Sequence, residues 1–272
     1  MMIDNALLLA AFAAAGLFAG FIGGLFGVGG GIVIVPVLFH LLGVFGVDPS
    51  VRMHVAVGTS LSTIVVTSWR SMSTHAKTGA VDFEVLKSWG PWIALGAVLG
   101  AGLAGVIETD GLVIIFGVGL LLVAANMGLG KETWRIAEDL PTGFARAAIA
   151  GAIGVLSALM GVGGGSFGVT VMTLCGRPIH QAVATASGFG AAIAIPATIG
   201  FMITGWGNPS VPPGSVGYVN LVGFALLAVL TAITAPYGAR AAHRLDRVLL
   251  KRLFAVFMAI TALNLLREGL LK

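Results

Sequence analysis

The residues with the clearest chemical potential are two copies of the pentapeptide Gly-Val-Gly-Gly-Gly, at 27–31 and 161–165. Glycine breaks helices because it loses the most backbone entropy on folding and has no side chain to pack. A helix that begins just after such a break points unpaired N–H groups and its positive dipole end at the break, which suits an anion. The predicted anion ligands are Gly29, Gly30 and Gly31, with Gly163, Gly164, Gly165 and Ser166.

A structural explanation of the two pentapeptides competes with this one. Glycines let helices pack closely in membranes, as we expect of Gly16 with Gly20 and of Gly96 with Gly100, which are four residues apart. A nucleotide-binding loop is excluded, because no Gly-Lys-Ser/Thr follows either copy and the Gly-x-Gly-x-x-Gly spacing is absent.

Hydroxyl side chains form a second set of candidates. They lie a few residues into an apolar segment of each half, so they could reach the middle of a membrane and donate hydrogen bonds to an oxyanion. The alternative is a hydrogen bond to a carbonyl one turn earlier, which is common for Ser and Thr in apolar helices. The candidates are Thr59 and Ser60, followed by Ser62 and Thr63, and in the second half Thr185 and Ser187.

Asn126 and Asn264 fall at matching positions of the two halves, each within an apolar segment. A buried amide needs a polar partner, so each asparagine either contacts substrate or makes a hydrogen bond between helices. We include both asparagines among the predicted substrate ligands.

Polar residues also begin the third segment of each half. On opposite sides of a membrane, they could attract anions to the two mouths of a pathway by electrostatic focusing. Ordinary interfacial anchoring is the alternative explanation. The residues are Arg52 and His54 in the first half and Arg177, His180 and Gln181 in the second.

The sequence gives no indication of catalysis, a metal site or a cofactor. The five histidines show no metal-ligand spacing, and nothing brings a nucleophile, a base and an acid together. All 11 acidic residues fall at segment ends or in loops. Since proton-coupled carriers often place a carboxylate deep in the membrane, we predict uniport, or coupling through a histidine such as His54 or through substrate protonation.

The composition is that of a membrane protein. Apolar residues make up 57% of the 272 residues, charged residues only 10%, and the mean hydropathy is +1.02, whereas soluble domains carry about 25% charged residues. Long apolar runs argue for helices and against an alternating β-barrel. The net charge of +4 is explained by cationic loops rather than nucleic-acid binding. The N-terminus lacks the cationic region of a cleaved signal peptide.

Polar breaks divide the chain into ten apolar segments, and the first five resemble the last five. The resemblance predicts a first transmembrane repeat at 1–130, a cytoplasmic linker at 131–142 and a second repeat at 143–272. The matches are the pentapeptides, Ala56–Ser60 with Ala182–Ser187, and Phe116 and Asn126 with Phe254 and Asn264. The segments are 6–26, 31–47, 54–74, 83–107, 110–128, 143–162, 164–176, 181–204, 215–236 and 247–267.

The cations predict the topology, because positive residues concentrate in cytoplasmic loops. If each glycine break is the tip of a hairpin, nearly all Lys and Arg lie on one side, with Arg52, Arg267 and Lys272 on the other. Both termini then face the periplasm, and the second half is inverted relative to the first. Inverted repeats with broken helices are typical of secondary transporters. The predicted fold is an all-α polytopic membrane protein with two inverted repeats of about five helical segments and 8–10 membrane segments in total.

These residues resemble the TauE/SafE sulfite-exporter family, which includes permeases of the 4-toluene sulfonate uptake type. The resemblance rests on the glycine break that opens each half and on the segments containing Gly58-Thr59-Ser60 and Thr185-Ala186-Ser187. It implies a bacterial inner-membrane permease for sulfite, sulfoacetate or similar anions. In this alignment Ala186 stands where the first half has Thr59, so the hydroxyls are not symmetric.

The predicted function is therefore secondary transport of a small anion, a sulfur oxyanion or organosulfonate such as sulfite or sulfoacetate, by alternating access. The alternatives are an anion channel of the same fold and an accessory membrane subunit without transport. The expected partners are the anion and the lipid bilayer, not nucleic acid, and small-residue helix faces would also suit a homodimer.

Overall fold

The computed structural model describes residues 5–26, 30–77, 79–129, 134–242 and 247–270. Within these ranges the chain is almost entirely helical. The first half contains α1 (Asn5–Phe26), α2 (Gly31–Val44), α3 (Arg52–Lys77), α4 (Phe83–Ala104) and α5 (Thr109–Leu129). The second half contains α6 (Gly143–Met160), α7 (Gly165–Leu174), α8 (Ile179–Thr204), α9 (Leu221–Ala242) and α10 (Arg247–Leu270), with a hairpin of β1 (Ser215–Val216) and β2 (Val219–Asn220) before α9.

Five of the described helices are long and apolar enough to cross a membrane. They are Thr109–Leu129, Gly143–Met160, Ile179–Thr204, Leu221–Gly238 and Arg252–Leu270. The prediction of an all-α polytopic membrane protein is confirmed. Helix α7 has only 10 residues, about 15 Å at 1.5 Å per residue, so it is too short to cross the hydrocarbon core alone.

The predicted segments coincide with the helices except at 215–236, where the helix begins later. Residues 215–220 form the hairpin instead, with Ser215 paired to Asn220 and Val216 to Val219. The bends at Gly214 and Gly217 need positive φ, which glycine adopts without strain. The Asn220 side chain then begins α9 by accepting a hydrogen bond from the Gly223 N–H at 2.8 Å.

Helices α3 and α8 form the centre of the bundle and pack against each other. Each of the helices α1, α4 and α5 packs along a helix of the other half. Helix α1 packs along α9, while α6 packs along α4, and α5 pairs with α10. This exchange is the pattern expected of two equivalent five-helix units facing each other across α3 and α8.

Glycines allow the closest of these helix crossings, as predicted for Gly20, Gly96 and Gly100. A β carbon at Gly96 would collide with the Gly151 carbonyl, and one at Gly100 would lie 2.7 Å from the carbonyl oxygen of Val155. Gly20 meets α9 at Thr231 in the same way. The crossings of α4 with α6 and of α1 with α9 therefore depend on missing side chains.

Candidate functional site

The two glycine breaks meet in the middle of the molecule. A β carbon at Gly31 would lie 2.6 Å from the carbonyl oxygen of Gly161. The Ser60 hydroxyl of α3 donates a hydrogen bond to that same oxygen at 2.8 Å. Gly29 lies outside the described residues. The structure thus brings the two copies of the motif together, although they are far apart in the sequence.

A cavity of about 450 Å³ opens beside this meeting point. Both breaks contribute to its wall, together with α1, α3, α8 and α9. Of the residues predicted to bind substrate, the described part of the chain places five in the wall: Gly30, Gly163, Gly164, Gly165 and Ser187.

Two helices begin at the cavity without a side-chain cap. Helix α7 starts after Gly164, and its first intrahelical bond joins the Gly168 N–H to the Gly164 carbonyl at 2.9 Å. Helix α2 starts after Gly30, whose φ of 76° is left-handed, and its Ile34 N–H bonds to the Gly30 carbonyl. The Val33 N–H also bonds to the Gly30 carbonyl, at 3.0 Å. The other N–H groups before these first bonds have no intrahelical acceptor, so both ends present partial positive charge to the cavity.

The carboxyl half of α3 supplies the polar wall of the cavity, and our sequence analysis did not identify it as a site. The cavity-lining side chains there are Thr67, Ser68, Arg70, Ser71, Thr74 and His75. Ser68 is only 9% exposed. The signal in the sequence is the polar run within 67–75, of which only Arg70 enters the sequence analysis, as one of the cations that indicate topology.

The predicted hydroxyls at Thr59 and Thr185 lie outside the cavity wall and hold the backbone instead. Thr59 accepts a hydrogen bond from the Asn220 N–H at 3.0 Å, just before α9. Thr185 accepts one from the Asp82 N–H at 2.9 Å, just before α4. Each threonine therefore accepts a hydrogen bond from the backbone N–H just before a helix of the other half. Thr59 is structurally equivalent to Thr185, so the alignment of Thr59 with Ala186 was wrong by one residue.

The other hydroxyls near Thr59 are also engaged. Ser62 and Thr63 both donate to the Thr59 carbonyl, at 2.7 and 3.1 Å. This is the back-bonding alternative that apolar helices favour. Ser187 donates to the Ala184 carbonyl at 2.6 Å while lining the cavity. Ser166 lies outside the wall, and its buried hydroxyl has no partner among the described residues.

The two matched asparagines lie away from the cavity. Asn126 is exposed on α5 and donates to the Thr170 hydroxyl of α7 at 3.3 Å. Asn264 is exposed on α10. The contact of Asn126 is the interhelical hydrogen bond that the sequence left open as an alternative to substrate binding.

The residues predicted at the mouths are held by protein contacts. The Arg52 guanidinium donates to the Val47 carbonyl at 2.6 Å. The His54 ring is buried, with Nε2 3.0 Å from the carbonyl oxygens of Ala104 and Ile107. Both residues lie at the end of α3 opposite the cavity, so neither lies where it could attract an anion into it.

In the second half, two of the three predicted mouth residues have partners. Arg177 pairs with Asp139 at 3.1 Å, and Gln181 donates to the Asp82 carboxylate at 3.3 Å. His180 is exposed at the start of α8. These contacts join the α7–α8 connection to the linker and to the start of α4.

The β-hairpin fills the end of the bundle opposite the cavity. Tyr218 packs on the His54 ring, with centroids 4.7 Å apart, and meets Phe201 edge-on at 6.5 Å. Its N–H bonds to the Phe201 carbonyl at 3.1 Å, and its carbonyl would lie 2.6 Å from a β carbon at Gly58. The contacts reach the amino half of α3 and the carboxyl half of α8, whereas the cavity is lined by the other half of each helix.

The charge of the cavity wall has one sign. Arg70 is the only Lys or Arg in the described part of the wall, and no Asp or Glu lines that part. Within the described residues no cluster of three potential metal ligands occurs. The wall therefore suits an anion held by hydroxyl and N–H donors.

Comparison with known proteins agrees with a membrane transporter. A probable membrane transporter protein of Haemophilus influenzae is 33% identical over 250 residues, covering 92% of this chain and 95% of the relative. Probable membrane transporter proteins of Methanocaldococcus jannaschii and Bacillus subtilis (YdhB) are 28% and 29% identical, over 85% and 92% of this chain and 84% and 96% of their own lengths. No solved structure matches the chain significantly.

The relatives are named as transporters rather than enzymes, which agrees with the prediction of a non-enzymatic permease. The sequence profile of the family described as sulfite exporter TauE/SafE matches residues 12–265, nearly the whole chain. The chain belongs to the TauE/SafE sulfite exporter family.

Proposed function

We propose that this membrane transporter carries a small oxyanion through the cavity at the two glycine breaks. The observation that carries the proposal is that both breaks lie in the wall of one cavity whose described part contains a cation and no carboxylate. Two uncapped helix ends and several hydroxyls supply donors there. Helix N-termini of this kind bind anions through N–H groups and the helix dipole.

The proposed substrate class is a sulfur oxyanion or a small organosulfonate, such as sulfite or sulfoacetate. The family description supports this class, since it names sulfite export. A cavity of about 450 Å³ has room for such a solute. The donor-rich wall fits its several acceptor oxygens.

The proposed mechanism is alternating access between two inverted halves in a bacterial inner membrane. The cavity is open to the surface and lies along the carboxyl half of α3, on the side where cations predict the cytoplasm. The hairpin closes the opposite end of the same helices. One open and one closed end are what a carrier presents in one of its two states, and the exchange of packing partners between halves supports the repeat.

Flux in proteoliposomes tests this function. Ala232 lines the cavity from α9, whereas Val229, three residues earlier, is 58% exposed on the outer surface. Ala232→Trp should lower the initial rate of sulfite or sulfoacetate uptake at least 10-fold by filling the cavity, and Val229→Trp should leave it unchanged. Saturation of the wild-type rate supports a carrier. Equal rates in both variants would contradict the site, and single-channel conductance would contradict alternating access.

A further inference from the structure

We propose that Ser68, Arg70 and Ser71 of α3 form the selectivity site for the transported oxyanion. This inference rests on the proposed function, because it assumes that an anion enters the cavity. It assigns recognition to side chains of one helix, whereas the glycine breaks supply only backbone donors. The chemical class selected is a solute with several acceptor oxygens rather than a spherical halide.

The first support is the position of Ser68 beside the start of α7. A β carbon at Gly190 of α8 would collide with the Ser68 hydroxyl, and one at Gly164 would lie 3.0 Å from the Gly190 nitrogen. Ser68, Gly190 and Gly164 are therefore neighbours in space along the cavity wall. The absence of side chains at both glycines lets a hydroxyl approach the N-terminus of α7.

The second support is that two serine hydroxyls in the cavity wall have no hydrogen-bond acceptor within the described structure. Ser68 is only 9% exposed, and it lines the cavity. Neither Ser68 nor Ser71 has a hydrogen-bond partner in the described parts of the chain, unlike the neighbouring Thr67 and Thr74, which donate to carbonyls of their own helix. Both hydroxyls are therefore free to donate to a solute in the cavity, and an oxyanion there would supply their acceptor.

Arg70 adds the charge that the hydroxyls lack. Arg70 lines the cavity, and its guanidinium forms no ion pair with any described residue. An arginine presents several N–H donors in a planar fork that matches the oxygens of an oxyanion. At the open end of the cavity it both attracts the anion and contacts its outer oxygens.

The third support comes from the duplicated helix. Helices α3 and α8 both have 26 residues, and Thr59 and Thr185 are equivalent by their hydrogen bonds. Counted from this pair, Ser68, Arg70 and Ser71 correspond to Ala194, Pro196 and Ala197. The fold of α8 is achieved with small apolar residues there, so the polar side chains of α3 are not needed for packing.

The experiment compares anion binding by purified variants with that of the wild type. Ser68→Ala and Arg70→Gln should each weaken sulfite binding about 10-fold or more, the usual effect of losing a hydrogen bond to a charged group. Binding is read from the sulfite-dependent rise in melting temperature at constant ionic strength, with chloride as the halide probe. Arg70→Lys, which keeps the charge, should recover only part of the affinity.

Two control variants lie on the same helix outside the cavity wall. Ser73→Ala removes a hydroxyl that donates to the Trp69 carbonyl, and Lys77→Gln removes one positive charge from the end of α3. Both should bind sulfite as the wild type does. Chloride should give little shift in any variant.

The results separate this inference from the proposed function. If Ser68→Ala and Arg70→Gln bind sulfite as tightly as the wild type, the selectivity site is overturned while the transport role stands. If Lys77→Gln weakens binding as much as Arg70→Gln, only the overall charge matters and the site is also overturned. A wild type that neither binds nor transports any oxyanion would remove both proposals.

Discussion

The carbonyl oxygen of Gly161 lies 2.6 Å from the position that a β carbon on Gly31 would occupy. The same oxygen accepts the hydrogen bond of Ser60. Each glycine break therefore serves as a packing surface for the other as well as the start of a helix. The packing explanation is therefore correct for Gly31 and Gly161, whereas anion binding stays a prediction for the glycines that line the cavity.

Substitution at this contact should destabilise the protein. Gly31→Ala places a methyl group against backbone that cannot rotate away, a form of overpacking that costs about 1–3 kcal/mol. The apparent melting temperature in detergent should fall by several degrees. Gly102→Ala is the control, because a β carbon there meets only open space. Equal melting temperatures for the two variants would contradict the close contact of the breaks.

The two equivalent threonines should contribute stability and not transport affinity. Thr59→Val and Thr185→Val each leave a backbone N–H without its acceptor, which costs about 1–3 kcal/mol when the group is buried. Both variants should melt earlier by similar amounts, while the concentration of anion at half-maximal flux stays unchanged. Thr204→Val is the control, since its exposed hydroxyl only bonds within α8. A changed half-saturation value would place Thr59 or Thr185 in the substrate path.

Loosening the β-hairpin should expose the closed end of the pathway. Thr198 is buried on α8, three residues before the Phe201 that contacts Tyr218. In a Cys175→Ser background, a cysteine at position 198 should react slowly with a membrane-impermeant maleimide. Tyr218→Ala should speed this reaction from the hairpin side.

A cysteine in place of Ser71 is the matched control for this labelling. It lines the open cavity, so it should react quickly from the opposite side whether or not Tyr218 is present. Labelling of position 198 that is already fast with the intact hairpin would show that the end is not closed.

The inverted arrangement predicts where each end of the chain lies. In a bacterial host, a reporter enzyme active only in the periplasm should be active when fused to the C-terminus. The same reporter fused after truncation in the 131–142 linker should be inactive. The opposite pair of results would reverse the predicted orientation, and activity at both sites would contradict the inversion.

The sequence predicted the fold well because glycine runs and apolar lengths are local signals. The hairpin at 215–220 was missed because its residues continue an apolar run, and the turn depends on Gly214, Gly217 and the side chain of Asn220. Apolar composition alone cannot distinguish a helix start from a short buried strand.

The candidate site was predicted only in part, for a physical reason. The glycines could be identified because a broken helix has the same consequence wherever it lies in the membrane. The sequence could not distinguish hydroxyls that line the cavity from those that bond to the backbone. Thr59 and Ser68 lie on the same helix and differ only in which neighbouring elements they face. That difference comes from α8 and α9, whose packing against α3 no single segment of sequence reveals.

The unequal connections of the two halves have a kinetic consequence. Residues 205–220 connect α8 to α9 and include the β-hairpin with its buried contacts, whereas the corresponding connection from α3 to α4, at 78–82, is short. For a passive carrier, the two empty states then differ in free energy, so the protein rests facing one way. Detailed balance still keeps the ratio of maximal rate to half-saturation concentration equal in both directions. The half-saturation concentrations on the two sides of the membrane should therefore differ, and the maximal rates should differ in the same proportion.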